Sequence, residues 1–228
     1  GFLCHFEADG WDVTREPGEP GETETLHASV EAIGAMALQD DELLRAVNSS
    51  ELEANAQGCA TIPGWFHGFD LIEYAVLNLV AAAGGARLRI VEVGSYLGMS
   101  ACFTSHLLRL LGVEADLHAV DIWSGHEDWV PAKDVQLIAE HSQTAGDMLG
   151  AFRHFMDSAN ATYDEALLHK SDSVNRTLLG TFAPESIHFL YLDSGHSEAG
   201  TLEELTLWWP KMVVGGWVCG DDFNMPGV

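Results

Sequence analysis

From residue 61 onward the chain alternates short apolar runs with amphipathic stretches, and this alternation constrains the fold more than any other feature. Leu71, Ile72, Ala75, Val76, Leu79 and Val80 recur at helical spacing and form one apolar face, which Gly84-Gly85 stops. Leu88–Val93 is mostly apolar, as a strand buried on both faces would be. A glycine-rich turn follows, then a helix from about Met99 to Leu111 and a second strand, Leu117–Asp121. Met148, Leu149, Phe152, Phe155 and Met156 mark a further helix face, and Ala166–His169 reads as a short third strand. Ile187–Leu192 is a strong fourth strand. Leu202, Leu205 and Trp208 or Trp209 stripe the next helix, which Pro210 ends, and Gly215-Gly216 turns the chain into a fifth strand, Trp217–Cys219. Strands separated by helices predict an α/β protein with a parallel sheet.

Residues 1–60 read differently. Residues 7–24 are acidic and rich in Gly and Pro, the composition of a solvated arm, and Leu26–Val47 suggests one or two helices with Asp40 or Asp41 as a cap. The expected division is an acidic arm and helical extension over 1–60 and an α/β domain over 61–228. The chain begins at Gly1 without Met and stops just after a strand, as a piece of a longer protein would.

The chain carries 35 acidic and 10 basic residues, a formal charge of -25. Phosphate and anionic membrane would both be repelled, so nucleic acid and membrane are not expected partners. Tyr74–Gly85, interrupted by Asn78, is too short to span a bilayer, and no signal peptide is visible near Gly1. Cys4, Cys59, Cys102 and Cys219 form no CxxC pair and read as reduced thiols of a cytoplasmic protein.

Ligands of open α/β sheets sit at the carboxyl ends of the strands. The first strand ends in Glu92-Val93-Gly94-Ser95-Tyr96-Leu97-Gly98, where glycines let backbone N–H groups approach a ligand beside a helix N-terminus. The second ends in Asp121, placed to accept hydrogen bonds from a ribose diol. Together they signal a nucleoside-containing cofactor. Tyr96 fills the middle position of a dinucleotide turn, which argues against a nicotinamide dehydrogenase. Glu92 suits a cofactor carrying an ammonium or sulfonium charge. A tight turn without a ligand is the plain alternative.

The stretches VEVGSYLGMS (Val91–Ser100), AVDIWSG (Ala119–Gly125) and FLYLDSGHSEAG…LWWPKMVVGGWVCGDDFNMPGV (Phe189–Val228) resemble class I S-adenosylmethionine-dependent methyltransferases. More narrowly, they are similar to the methyltransferase domain 24 branch, related to macrocin-type sugar O-methyltransferases and cephalosporin-hydroxylase-like proteins. The resemblance covers roughly residues 61–228. It implies a Rossmann-like, doubly wound parallel sheet of order 3-2-1-4-5. Such sheets usually finish with two further strands, which this chain lacks. Its fifth strand is then an exposed edge, to be covered by a partner or a missing segment, and a homo-oligomer acting on a small-molecule acceptor is the expected assembly.

The resemblance places Glu92, Gly94, Ser95 and Gly98 at the methionine end of the cofactor, with Tyr96, Ser100 and Asp193 carried as further cofactor contacts. Asp121 would hold the ribose, Ile122 and Trp123 would flank the adenine, and Ser171, Asp172 and Ser173 would meet its edge. Trp123 reads equally as an ordinary core aromatic, and Asp172 as a helix N-cap. Asp193, Asp221 and Asp222 end adjacent strands about 5 Å apart. They are ligand candidates for Mg²⁺ or another divalent cation, with one helix-capping or cofactor-binding Asp and two solvated ones as the alternative. His196, with Asp193, is the catalytic candidate, a base for an acceptor hydroxyl, or else a structural histidine. Gly195 and Glu198 stand where the family often has an acidic residue and a tyrosine, which leaves the fine substrate contacts open. His126, Glu127 and Asp128 lie on a long loop, as substrate contacts or as a solvated edge.

The expected activity is O-methylation of a small hydroxylated molecule, with metal assistance. The competing reading is an S-adenosylmethionine-binding module without methyl transfer.

Overall fold

The computed structural model describes residues 2–5, 50–66, 68–124, 130–141, 147–195 and 197–221. The expected helices within Leu26–Val47, and also His126, Glu127, Asp128, His196 and Asp222, lie outside the described residues.

Six strands form one sheet in the order β1-β6-β5-β2-β3-β4. They are β1 (Phe2–His5), β2 (Leu88–Val93), β3 (Ala115–Asp121), β4 (Leu168–Lys170), β5 (Ile187–Leu192) and β6 (Met212–Gly220). The last five are mutually parallel, so the order 3-2-1-4-5 is present as expected. The helices are α1 (Ser50–Cys59), α2 (Phe69–Ala83), α3 (Met99–Leu110), α4 (Ala132–His141), α5 (Met148–Ser158), α6 (Arg176–Leu179) and α7 (Glu198–Trp208).

Strand alternation divides the core. Leu88 and Ile90 of β2 face a cluster built with Ile72 and Val76 of α2, Phe103 and Leu107 of α3, and Phe152 and Met156 of α5. Val91 and Val93 face the other side, with Leu178 and Leu179 of α6, with Phe182 of the loop that follows, and with Trp208 of α7. Period-2 alternation on strands apolar on both faces gives the two layers their separate cores.

The edge of β6 is covered. β1 pairs with it antiparallel, Phe2 opposite Gly220 and His5 opposite Trp217, so the edge expected to be exposed is closed by the chain's own beginning. No local signal announces this, because β1 meets its partner across more than two hundred residues of sequence. The Gly215-Gly216 pair does not turn the chain into the strand. It lies inside β6, where Gly215 takes φ 83° and the register with β5 shifts between Ile187 and Phe189. Glycine there admits a bulge. Leu202 is 63% exposed and drops out of the expected stripe, because α7 is turned to bury Trp208 and Glu204.

The cysteine reading is corrected. Cys59 at the end of α1 and Cys102 in α3 form a disulfide with Cα atoms 5.7 Å apart, and both are fully buried. Packing α1 on α3 brings together cysteines 43 residues apart, which spacing alone does not reveal. Cys219 is buried outside the bridge. The redox argument for a cytoplasmic location goes with the thiols. Among the described residues no helix is long and apolar enough to cross a membrane.

The bridge closes a long loop, an effect worth about 2–4 kcal/mol. The double variant C59A/C102A should lose about that much in urea unfolding. Alkylation of the denatured, unreduced chain should leave Cys59 and Cys102 unmodified in a peptide map.

Candidate active site

The direction of strand addition reverses between β2 and β5, and the crevice at such a switch point is where open sheets bind ligands. The two strand ends touch there. A Cβ on Gly94, at φ 92°, would lie 1.9 Å from the Asp193 carbonyl oxygen, so only glycine fits. Gly98, at φ 97°, is held for another reason: a Cβ would press within 3.0 Å of the Phe152 ring on α5. These two glycines pull the turn down between the neighbouring strand and a helix.

Asp121, the last residue of β3, organises the rim. Its Oδ2 accepts a hydrogen bond from the Tyr96 N–H at 2.8 Å, and its Oδ1 accepts from the Trp123 N–H at 2.6 Å. The Trp123 indole N–H donates to the Tyr96 carbonyl at 2.7 Å and closes the circuit. Tyr96 and Trp123 both adopt left-handed backbone, φ 45° and 38°, which the circuit holds in place. The Tyr96 hydroxyl donates to Asp134 of α4 at 3.1 Å, and burial with that carboxylate nearby raises the Tyr96 pKa.

Glu92 lies beneath the turn, 1% exposed, and accepts from the Ser100 hydroxyl at 3.0 Å. Burial pushes its carboxyl up to about 7, Asp121 adds to the rise, and the Ser100 and Ser95 hydroxyls pull the other way.

A cavity of about 340 Å³ opens over this rim. Of the expected contacts, Gly94, Tyr96, Asp121, Ile122, Ser171, Asp172, Ser173 and Asp193 line it. Glu92, Ser95, Gly98 and Ser100 do not; they support the turn from within. Trp123 is not on the cavity either: it is fully buried against Phe152, and only its neighbour Ile122 is exposed at the wall. Asp172 accepts from the Val174 N–H at 3.0 Å in a local turn, whereas α6 is capped by Asn175.

Sequence reasoning missed the α7 wall. Gly200, Glu203 and Glu204 line the cavity with Ser194, whose hydroxyl donates to Glu204, a residue only 4% exposed. The place of the glutamates in the first turns after a strand end was the available signal. Of the metal candidates, Asp193 and Asp221 follow adjacent strands β5 and β6, their N–H groups donating to Val93 and Leu192 carbonyls. Among the described residues no three carboxylates converge at ligand distance; the one such cluster of possible ligands is Cys59, Cys102 and His106, whose sulfurs are bridged.

The cavity fits an adenosyl group with a positive centre. Ile122, 53% exposed, offers an apolar shelf, and a carboxylate such as Asp121 has capacity for about four hydrogen bonds. The described lining includes five carboxylates (Asp121, Asp172, Asp193, Glu203, Glu204) and no Lys, Arg or His, a wall suited to a cation. The fold and this rim define a Rossmann-like, nucleoside-binding α/β protein. A methyltransferase-domain family model matches residues 91–223, more than half of the chain, and the chain belongs to this S-adenosylmethionine-dependent methyltransferase family. A Corynebacterium glutamicum protein solved by structural genomics is similar at 15% identity and a TM-score of 0.42, over 87% of this chain and 73% of its own. No match to a curated protein was found.

Two outcomes follow from the rim. D121N leaves one of two inward N–H groups facing an amide instead of an acceptor, and should lower stability by about 1–3 kcal/mol. Glu92 has a folded pKa of about 7 against an ordinary 4.5, so its burial costs stability as pH rises through that window. E92Q should therefore match the parent's melting midpoint near pH 4 and exceed it increasingly up to pH 8.

Proposed function

We propose that the protein O-methylates a small hydroxylated molecule, using S-adenosylmethionine. The observation that carries this reading is one cavity lined by Asp121, Ile122 and Gly94 on one side and by Asp193, Ser194 and Glu204 on the other. The first group suits the nucleoside and methionine ends of the cofactor, and the second borders the space beyond it. When bound, the cofactor supplies an activated methyl group on a sulfonium.

The chain's own contribution is alignment and proton removal. Gly94 and the Tyr96–Asp121–Trp123 circuit hold the turn rigid before any ligand arrives. Glu92, buried beneath the turn, adds its charge to the field under the cofactor when a positive ligand favours its ionised form. The Ser194 hydroxyl donates to Glu204, which leaves its lone pairs to accept from an acceptor O–H. His196, three residues after Asp193, is the proposed base, and its position in the sequence supports that role. Asp193 and Asp221 are the oxygen ligands available to a hard divalent cation that would acidify the acceptor hydroxyl.

The competing reading, binding without transfer, predicts the same cofactor affinity and no turnover. Calorimetry with S-adenosylmethionine should give saturable binding that weakens at least tenfold in D121A. Labelled methyl should then appear in a panel of sugar and polyol acceptors, with the rate falling in EDTA and returning with Mg²⁺. Binding without any labelled product would favour the binding module; unchanged turnover in EDTA would remove the metal.

A further inference from the structure

On the second face of the sheet, below the cofactor rim, four basic side chains stand on four adjacent strands. They are His169 on β4, His118 on β3, Arg89 on β2 and His188 on β5. The register puts them on one face: Arg89 is opposite Asp116, His118 is two residues on from Asp116, and His169 is opposite Val120, two further on. His118 lies three residues before Asp121, about 10 Å down the strand at about 3.3 Å per residue.

Arg89 is anomalous. The chain holds 35 acidic residues against 10 basic ones, yet among the described residues no carboxylate hydrogen-bonds this half-buried guanidinium, and Asp116 acts on it only through its charge. Asp116, directly opposite, is engaged by Arg87 at 2.9 and 2.6 Å. The Arg89 Nε is buried with no hydrogen-bond partner. So is Nε2 of His118, a residue only 9% exposed. His118 Nδ1 is 3.0 Å from His169 Nε2, with the rings stacked and Phe182 packed edge-on against both. When His169 donates across that contact, His118 Nε2 carries the proton. His188 Nδ1 accepts from the Arg89 backbone N–H at 3.0 Å, so the neutral His188 ring keeps its proton on Nε2. The row thus holds two buried nitrogens without a hydrogen-bond partner, Arg89 Nε and His118 Nε2, beside the Nε2 proton of His188, and a buried donor left unpaired is a costly thing to keep.

We propose that this row is a binding site for a small oxyanion, a phosphate or a carboxylate group, seated between Arg89, His118 and His188. The proposal is independent of the methyl-transfer reading. Burial, with Arg89 adding to it, holds both neighbouring imidazoles below their ordinary pKa; His118, also beside His169, is brought down to about 4 against an upward pull from Asp116, so at neutral pH the rings are neutral and the charge is supplied by the guanidinium. The carboxylates elsewhere on the chain are screened beyond a Debye length of about 8 Å at physiological ionic strength. Asp116 faces Arg89 and His118 with its charge, but its hydrogen bonds go to Arg87, which offsets that charge.

The test titrates inorganic phosphate into the full-length chain at pH 7.5, with acetate and chloride at matched ionic strength as separate arms. The ring resonances of His118, His169 and His188 are followed by NMR. Phosphate should shift His118 and His188 saturably, chloride should not, and the acetate arm shows whether a carboxylate suffices. R89Q should abolish saturation while changing S-adenosylmethionine affinity less than twofold. Non-saturating shifts in both oxyanion arms of the parent protein would overturn the proposal whether or not R89Q folds. An unchanged titration in R89Q, or in R89M as its second variant, would do the same.

Discussion

The Asp121 carboxylate is the interaction on which the site depends. It accepts one backbone N–H from the turn after β2 and one from the turn after β3, and so ties two loops from neighbouring strands to a single side chain. Each loop places a bulky residue, Tyr96 or Trp123, in left-handed backbone, a conformation that costs about 1–3 kcal/mol without compensation. Charge-assisted bonds to a carboxylate are the strong kind, and here they hold strain that free loops would release. Ile122 reaches the cavity because Trp123, next to it, is anchored inward by its indole N–H. The rim is a preorganised surface, built before a ligand binds.

Charge has been distributed with equal consequence. Acidity spread over a whole surface mainly serves solubility. Carboxylates gathered on one cavity wall, with another buried beneath at a raised pKa, create a local preference for a positive ligand. The donor row across the second face has the opposite preference. The sheet thus separates the two by about 10 Å of strand.

The periphery is fastened by long-range contacts. β1 closes the edge of β6, and the Cys59–Cys102 bridge fixes α1 to α3, the helix that starts at the glycine turn. The segment after Cys59 continues to Trp65, whose ring lies 5.6 Å from that of Tyr96. Covalent and strand pairing at the margins therefore reach the rim through very few residues.

Sequence alone determined the alternation of strands and helices, the Gly94 and Gly98 turn, Asp121 at a strand end and the carboxylates after β5 and β6. Each of these is a local pattern: apolar periodicity, a glycine where no side chain fits, an acid at a strand terminus. Tertiary structure decided the rest. Trp123 went to the core and Ile122 to the wall because one indole found a carbonyl across a loop. Glu203 and Glu204 became cavity residues because α7 rotated to bury Trp208. The disulfide, the closed edge and the surroundings of Arg89 depend on partners far away in the chain. A one-dimensional pattern records which residues can be buried or bent, and only packing in three dimensions settles which of them meet.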